Sequence, residues 1–362
     1  MKSRRIVLLG CFSGLLLILT ALASEFVLRA SGHISTASIH AISEADFDRV
    51  PGMFEPSQSA LETPHPQLQY QATTNSLGFR GAEISREKPR ATRRILCIGD
   101  SSTFGQFVND EDTLAATLER LLRQEHLPVE VINGGVPGTT IVDQIDILKR
   151  SISIQPDVVI LTFSENDITD LEAEPTQYAA LAENRRLKSG PIVKPIYNLV
   201  RDTALFNYFL KVRATWRTYS AVRSSESLQI SDPLRSEGNY ERLWTRYADR
   251  LKDLQQYLAT KRIQLIFNAY PTHQRIGTDT FSNERDRERL GHVESLTREL
   301  NISTVSILPV FQETGLSKEA LYHLPYDGHG RKTGYLLQAQ ALLPTVLETL
   351  RSTPPDPQTA LP

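Results

Sequence analysis

The sequence predicts an α/β protein, a parallel sheet covered on both faces by helices and preceded by one N-terminal apolar helix. Three observations carry that expectation. Short apolar runs alternate in regular order with helical patterns. The runs are apolar at nearly every position, as strands buried on both faces are. Several of them end in clusters of Gly, Asp, Asn and Ser, and ligands of such sheets bind at the carboxyl ends of the strands. Composition agrees. A chain of 362 residues holds one large domain or two small ones. With 40% hydrophobic and 23% charged residues, a disordered or fibrous chain is excluded. A net charge of −2 offers no excess of cations for the phosphates of nucleic acid. Two cysteines, Cys11 and Cys97, are too few for a disulfide framework or a cysteine-based zinc site. No collagen-like period or solenoid repeat is visible.

Residues 1–30 form the apolar segment. Lys2, Arg4 and Arg5 precede a run from Ile6 to Ala23 that carries no charge and no proline. It is long enough to span most of a hydrocarbon core, and the cations predict the N-terminus inside and the remainder outside. Two readings of its end stay open. Ala21-Leu22-Ala23 before Ser24 has the form of a signal-peptidase site. Phe26, Val27 and Leu28 extend the apolar character past Glu25, which suits an uncleaved anchor. Either reading exports the rest of the chain to the periplasmic or cell-surface side. Leu9-Gly10-Cys11 has too short an apolar lead to be a lipoprotein signal. Residues 31–68, with Pro51, Pro56, Pro64 and Pro66, read as a linker.

The main domain is expected over 69–351. It opens with the turn-rich run Asn75 to Gly81, NSLGFRG. Strands are then expected at Ile95–Ile98, Val129–Ile132, Val158–Leu161, Ile263–Phe267 and Val305–Val310. Helices are expected over Leu114–Leu122, Ile141–Ile152, Tyr240–Leu258, Asn283–Leu300 and Lys332–Leu350. The stretch 171–239 is far longer than an ordinary connection. It interleaves Arg and Lys with Phe206, Tyr208, Phe209, Trp216 and Tyr219. It reads either as a lid or membrane-surface helix, or as a solvated helical excursion. Residues 352–362 form a proline-rich tail.

The strand ends carry the chemistry. They read Gly99-Asp100-Ser101, Asn133-Gly134-Gly135, Ser164-Glu165-Asn166-Asp167, and, before the last helix, Asp327-Gly328-His329. A serine hydroxyl becomes a nucleophile when a base takes its proton. His329 is the candidate base, and Asp327 can fix its tautomer. The N–H groups of Ser101 and Gly135 and the Asn166 amide are candidate oxyanion donors.

These four blocks, in this order, resemble the SGNH-type hydrolases, also called the GDSL esterase/lipase family. NSLGFRG ahead of RILCIGDSSTFG resembles a bacterial membrane-associated branch of it. The resemblance implies a flavodoxin-like, three-layer α/β/α fold with about five parallel strands. It implies Ser101 as nucleophile, His329 as base, Asp327 as its partner, and Ser101, Gly135 and Asn166 around the oxyanion. One departure stands out: the family's common last block spaces its aspartate and histidine three apart, and here they are two apart.

The expected function is an extracytoplasmic serine esterase acting on a glycan acetyl group or a lipid ester, without cofactor or metal. The alternatives are an O-acyltransferase that passes the same acyl group to a sugar, and a silent binding module. Simpler roles are expected nearby. Ser101 could be a helix cap, Asn133 a turn residue, Asp100 a loop organiser and Asp167 a cap. His273, at another strand end, reads as a loop residue or else a substrate contact. His323, six residues before His329, fits no standard zinc pattern with Asp327. His126 and His292 read as exposed helix residues, and Cys97 as a buried hydrophobe.

Overall fold

A computed structural model describes residues 2–31, 38–42, 46–65, 67–172, 190–213, 216, 237–276 and 284–352. The elements run α1 (Lys2–Ser31), β1 (Ser59–His65), β2 (Leu68–Thr73), β3 (Arg93–Ile98), α2 (Ser101–Phe104), α3 (Leu114–Gln124), β4 (Val129–Asn133), α4 (Ile141–Ser151), β5 (Val158–Phe163) and α5 (Asn166–Asp170). They continue with α6 (Val193–Val200), α7 (Glu237–Thr260), β6 (Gln264–Ala269), α8 (Glu284–Glu299), β7 (Ser303–Ser306), α9 (Leu308–Glu313), α10 (Lys318–Leu321) and α11 (Lys332–Ser352). The chain divides into two compact units. One comprises residues 1–38, 60–69 and 187–230, and the other the remainder.

The larger unit is built on a five-stranded sheet in the order β4-β3-β5-β6-β7, every pair parallel. This is the flavodoxin-like order, and its switch point lies between β3 and β5. The strands form because β-branched and apolar residues occupy both faces. In β3, Ile95 and Cys97 join one core, and Leu96 and Ile98 join the other. The first core packs the sheet against α3 and α11, through Leu114, Leu118, Tyr335, Leu342 and Val346. The second packs it against α4, α7 and α8, through Ile145, Leu148, Tyr247, Leu251 and Val293. The three layers expected from the sequence are thus present.

Two expectations shift. The last strand is Ser303–Ser306, and the apolar residues expected in it, Leu308 to Val310, open α9 instead. Pro309 sits in the first turn of that helix, where its missing N–H is harmless and its φ is already helical. β7 is an edge strand and is not fully buried, so its polar sequence satisfies it. Within 31–68, Ile42, Met53 and Phe54 are buried in a cluster with Tyr70 and Phe104. That part of the stretch is packed structure. The tail from residue 353, and residues 173–189, 214–215 and 217–236 of the 171–239 insertion, lie outside the described residues.

In the smaller unit, α1 contains Leu9–Ser31, long and apolar enough to cross a membrane at a mean hydropathy of 2.1. Length and composition suit a membrane anchor and a signal sequence alike.

Candidate active site

Ser101 is the first residue of α2, directly after β3. The short helix is held at both ends. Asp100 caps it, its Oδ1 accepting the Ser102 N–H at 2.8 Å. The helix stops at Gly105, which takes φ +85° and donates its N–H to the Ser101 carbonyl. The carbonyls this leaves are met by Arg80, the buried arginine of NSLGFRG. Its guanidinium donates to the carbonyls of Phe104 at 2.8 Å, Gly105 at 2.7 Å and Val108 at 2.6 Å. It also pairs with Asp110 at 2.8 Å and lies over the Phe104 ring. A cation here complements the negative end of the helix. Asn75 in turn closes the loop that presents Arg80, its Oδ1 accepting the N–H groups of Leu77 and Phe79.

Ser101 Oγ lies 2.8 Å from His329 Nε2. His329 Nδ1 lies 2.5 Å from Asp327 Oδ1, and the same oxygen accepts the His329 backbone N–H at 2.9 Å. The spacing of two residues therefore lets one carboxylate oxygen hold both the ring and the backbone of the histidine. Burial raises the Asp327 carboxyl. The hydrogen bonds and charge of His329 outweigh that and leave it below the usual carboxylate range. An ionised carboxylate only accepts, so Nδ1 carries a proton, and in the neutral imidazole this leaves Nε2 as the acceptor facing Ser101.

The other predicted residues gather at the same sheet edge. Gly135 packs directly on α2, where a Cβ would lie 2.2 Å from the Phe104 nitrogen. No side chain fits there. Its N–H donates to Asn133 Oδ1 at 3.1 Å, while Asn133 Nδ2 donates to the Phe104 carbonyl at 3.0 Å. Asn133 thus ties the glycine block to the helix that carries Ser101. Asn166 begins α5 across the switch point. Its Nδ2 donates to Asp100 at 3.1 Å and to Asp170 at 3.0 Å, so both amide hydrogens go to carboxylates. Asp167 is fully buried and accepts the Ser164 N–H at 2.8 Å; it ties back to the end of β5 rather than capping the segment after it. Burial, and then the charge of Asp100, push its carboxyl well above the usual range.

Several supports were not foreseen. Glu165 accepts from Thr272 at 3.1 Å and pairs with Arg275 at 2.6 Å, fixing the loop that holds His273. The His273 ring in turn lies under Gly328, where a Cβ would meet Nδ1 at 2.8 Å. Gly328, between Asp327 and His329, is small because that ring is there. Phe107 meets His329 edge-on at 5.3 Å and His323 at 6.0 Å. It holds φ +68°, a costly conformation for an aromatic residue. The sequence signals were a lone Glu in the ND block and an Arg in NSLGFRG, neither of which announces its partner.

The remaining histidines and cysteines take structural places. His323 is half-buried; burial, then the charges of Arg331 and His329, push it down to about 4 against the pull of Asp327. His126 lies just past α3 at φ +60°, and His292 packs on Trp244 rather than standing exposed on its helix. Burial pushes the Cys97 thiol up to about 12. Among the described residues, no group of three or more His, Cys, Asp or Glu side chains is arranged to hold a metal ion.

The model of the GDSL-like Lipase/Acylhydrolase family matches residues 97–331, from the end of β3 to the turn before α11. The chain belongs to this family. As a member of the GDSL-like lipases and acylhydrolases it is an ester-hydrolysing enzyme. A search of curated protein sequences finds no match. Among solved structures the chain is similar to TesA, at 11% identity and a TM-score of 0.42, over 71% of this chain and 99% of TesA. It is also similar to Axe2, an acetylxylan esterase from Geobacillus stearothermophilus, at 17% identity and a TM-score of 0.42, over 71% of this chain and 96% of Axe2.

Proposed function

We propose that this GDSL-family enzyme is a serine esterase working outside the cytoplasm through an acyl-enzyme on Ser101. The observation that carries the reading is the hydrogen-bonded series Ser101 Oγ, His329 Nε2, His329 Nδ1, Asp327 Oδ1 at the carboxyl end of β3. Ser101 Oγ attacks the ester carbonyl as His329 Nε2 takes its proton. Asp327 stabilises the imidazolium by accepting its Nδ1–H. The tetrahedral oxyanion is met by the N–H groups of Ser101 and Gly135 and by Asn166. The Gly135 N–H and the Asn166 amide have internal partners in the resting enzyme, Asn133, Asp100 and Asp170. The reading therefore has the developing negative charge compete for those donors. The imidazolium then returns its proton to the leaving alkoxide, and a water repeats the sequence to free the acid.

The substrate class is an O-acetyl group of an envelope or secreted glycan, or a lipid acyl ester. Domain 69–351 performs the reaction, with residues 1–30 as anchor: Lys2, Arg4 and Arg5 stay inside and the domain is outside. The test incubates the full-length enzyme with acetylated glycan, with and without a sugar acceptor, and identifies the products. Release of free acetate that requires Ser101 supports the esterase. Acetyl transfer to the sugar in place of free acetate identifies a transferase. Neither product, with small acetyl esters also left intact, removes the catalytic reading.

A further inference from the structure

The smaller unit carries a feature that the esterase chemistry does not use. Residues 190–213 form two short helices, α6 and a helical run over 204–213. At the N-cap of α6 and along it, Ile192, Ile196 and Leu199 follow the spacing i, i+4, i+7 and form one stripe. They are 76%, 59% and 78% exposed. On the second run, Leu205, Phe209 and Val212 repeat the spacing, and Trp216 beyond its end is 68% exposed. A folded soluble surface rarely leaves two neighbouring apolar stripes in one short segment open. Lys194 and Arg201 lie on the opposite side of α6 from its stripe by the same helical spacing. The segment 190–213 holds four cations, Lys194, Arg201, Lys211 and Arg213, and a single acid, Asp202.

The second observation is how this segment is tied down. Glu25, just past the charge-free run of α1, accepts the N–H groups of Ala204 at 2.9 Å and Leu205 at 2.8 Å. Thr203 Oγ1 takes the Phe206 N–H at 3.2 Å. Glu25 and Thr203 together cap the first turn of the 204–213 run. Arg29 pairs with Glu25 at 2.5 Å and donates to the Asp202 carbonyl at 3.2 Å. The first charged residues after the apolar run are thus spent on starting an amphipathic helix. A helix begun at that point starts at the depth where a spanning α1 leaves the hydrocarbon.

We infer that residues 190–213 and Trp216 belong to an interfacial element that lies in the bilayer surface beside α1, with Ile192, Ile196, Leu199 and Phe209 among the acyl chains. The inference rests on the anchor reading of α1. Its occupant is a lipid surface because the bilayer that α1 crosses already meets the segment at Glu25. The composition fits that place: aromatic rings Tyr197, Tyr208 and Trp216 at the boundary, and cations toward anionic headgroups.

The test uses the full chain in mixed phosphatidylcholine and phosphatidylglycerol vesicles, with lipids brominated near the top of the acyl chain. Trp244 is the only other tryptophan, so Trp244→Phe isolates Trp216. If that variant does not fold, the difference between wild type and Trp216→Phe gives the same signal. Flotation of the vesicles reports the anchor separately. The expected result is flotation, loss of Trp216 emission to bromolipid and protection from aqueous iodide. Leu199→Glu with Phe209→Glu should float as well and lose the bromolipid quenching. Flotation with Trp216 open to iodide and blind to bromolipid overturns the interfacial element and leaves the anchor standing. Failure to float removes the anchor and the inference with it.

Discussion

At the scale of single residues, the hydrogen bond between Ser101 Oγ and His329 Nε2 joins the two side chains into one unit. Removing either side chain, as Ser101→Ala or His329→Ala, should lower turnover by about three to six orders of magnitude with the fold unchanged. Far-UV circular dichroism beside the esterase assay checks both halves of that statement. Asn166→Ala should lower turnover by about 10²–10³. Normal activity in that variant would leave Asn166 as a tie between Asp100 and Asp170 and nothing more. The residue types that the proposed acyl transfer needs, a hydroxyl, a base and donors, were legible at the strand ends, and the structure brings Ser101, His329 and Asp327 within hydrogen-bond reach of one another. The supports were not. Glu165, Phe107 and His273 act through partners about 50 to 220 residues distant, and no local pattern encodes such a pairing.

At the scale of elements, the α2 helix is too short to be stable by itself. Its position comes from Asp100 at one end, Arg80 at the other and Gly135 against its side. Arg80→Lys keeps the charge and loses the fork that serves four carbonyls, those of Gln71, Phe104, Gly105 and Val108, and Asp110. Breaking a buried, hydrogen-bonded ion pair costs about 3–5 kcal/mol. We expect Arg80→Lys to lose part of that in chemical denaturation, and to slow esterase turnover because Ser101 is displaced. Unchanged stability would show that the Arg80 contacts are replaceable. The main strands and helices were legible wherever an apolar period ran long. β7 was not, because an edge strand needs few apolar residues and the apolar run after it belongs to α9. The packed residues within 31–68 were hidden by four prolines that read as a linker.

At the scale of the whole molecule, pH acts on folding through groups far from their ordinary ionisation. His323 titrates at about 4 in the folded chain against 6.5 as the reference value. Between those values the unfolded chain binds a proton there that the folded chain does not, so stability rises with pH across the window and falls on acidification. After discounting for its half-exposure, the contribution is about 1–2 kcal/mol. His323→Gln should flatten the dependence of the unfolding free energy on pH between 4 and 6.5 by that amount, read from denaturant titrations across the window. An identical dependence in the variant would assign the acid sensitivity to other groups. The measurement that bears most directly on the central claim is labelling of the full-length protein with a fluorophosphonate, with the adduct located by peptide mass spectrometry. One adduct is expected, on Ser101, absent from Ser101→Ala and strongly reduced in His329→Ala. A folded protein that acquires no adduct, or one that labels equally without His329, would contradict an activated serine at this site.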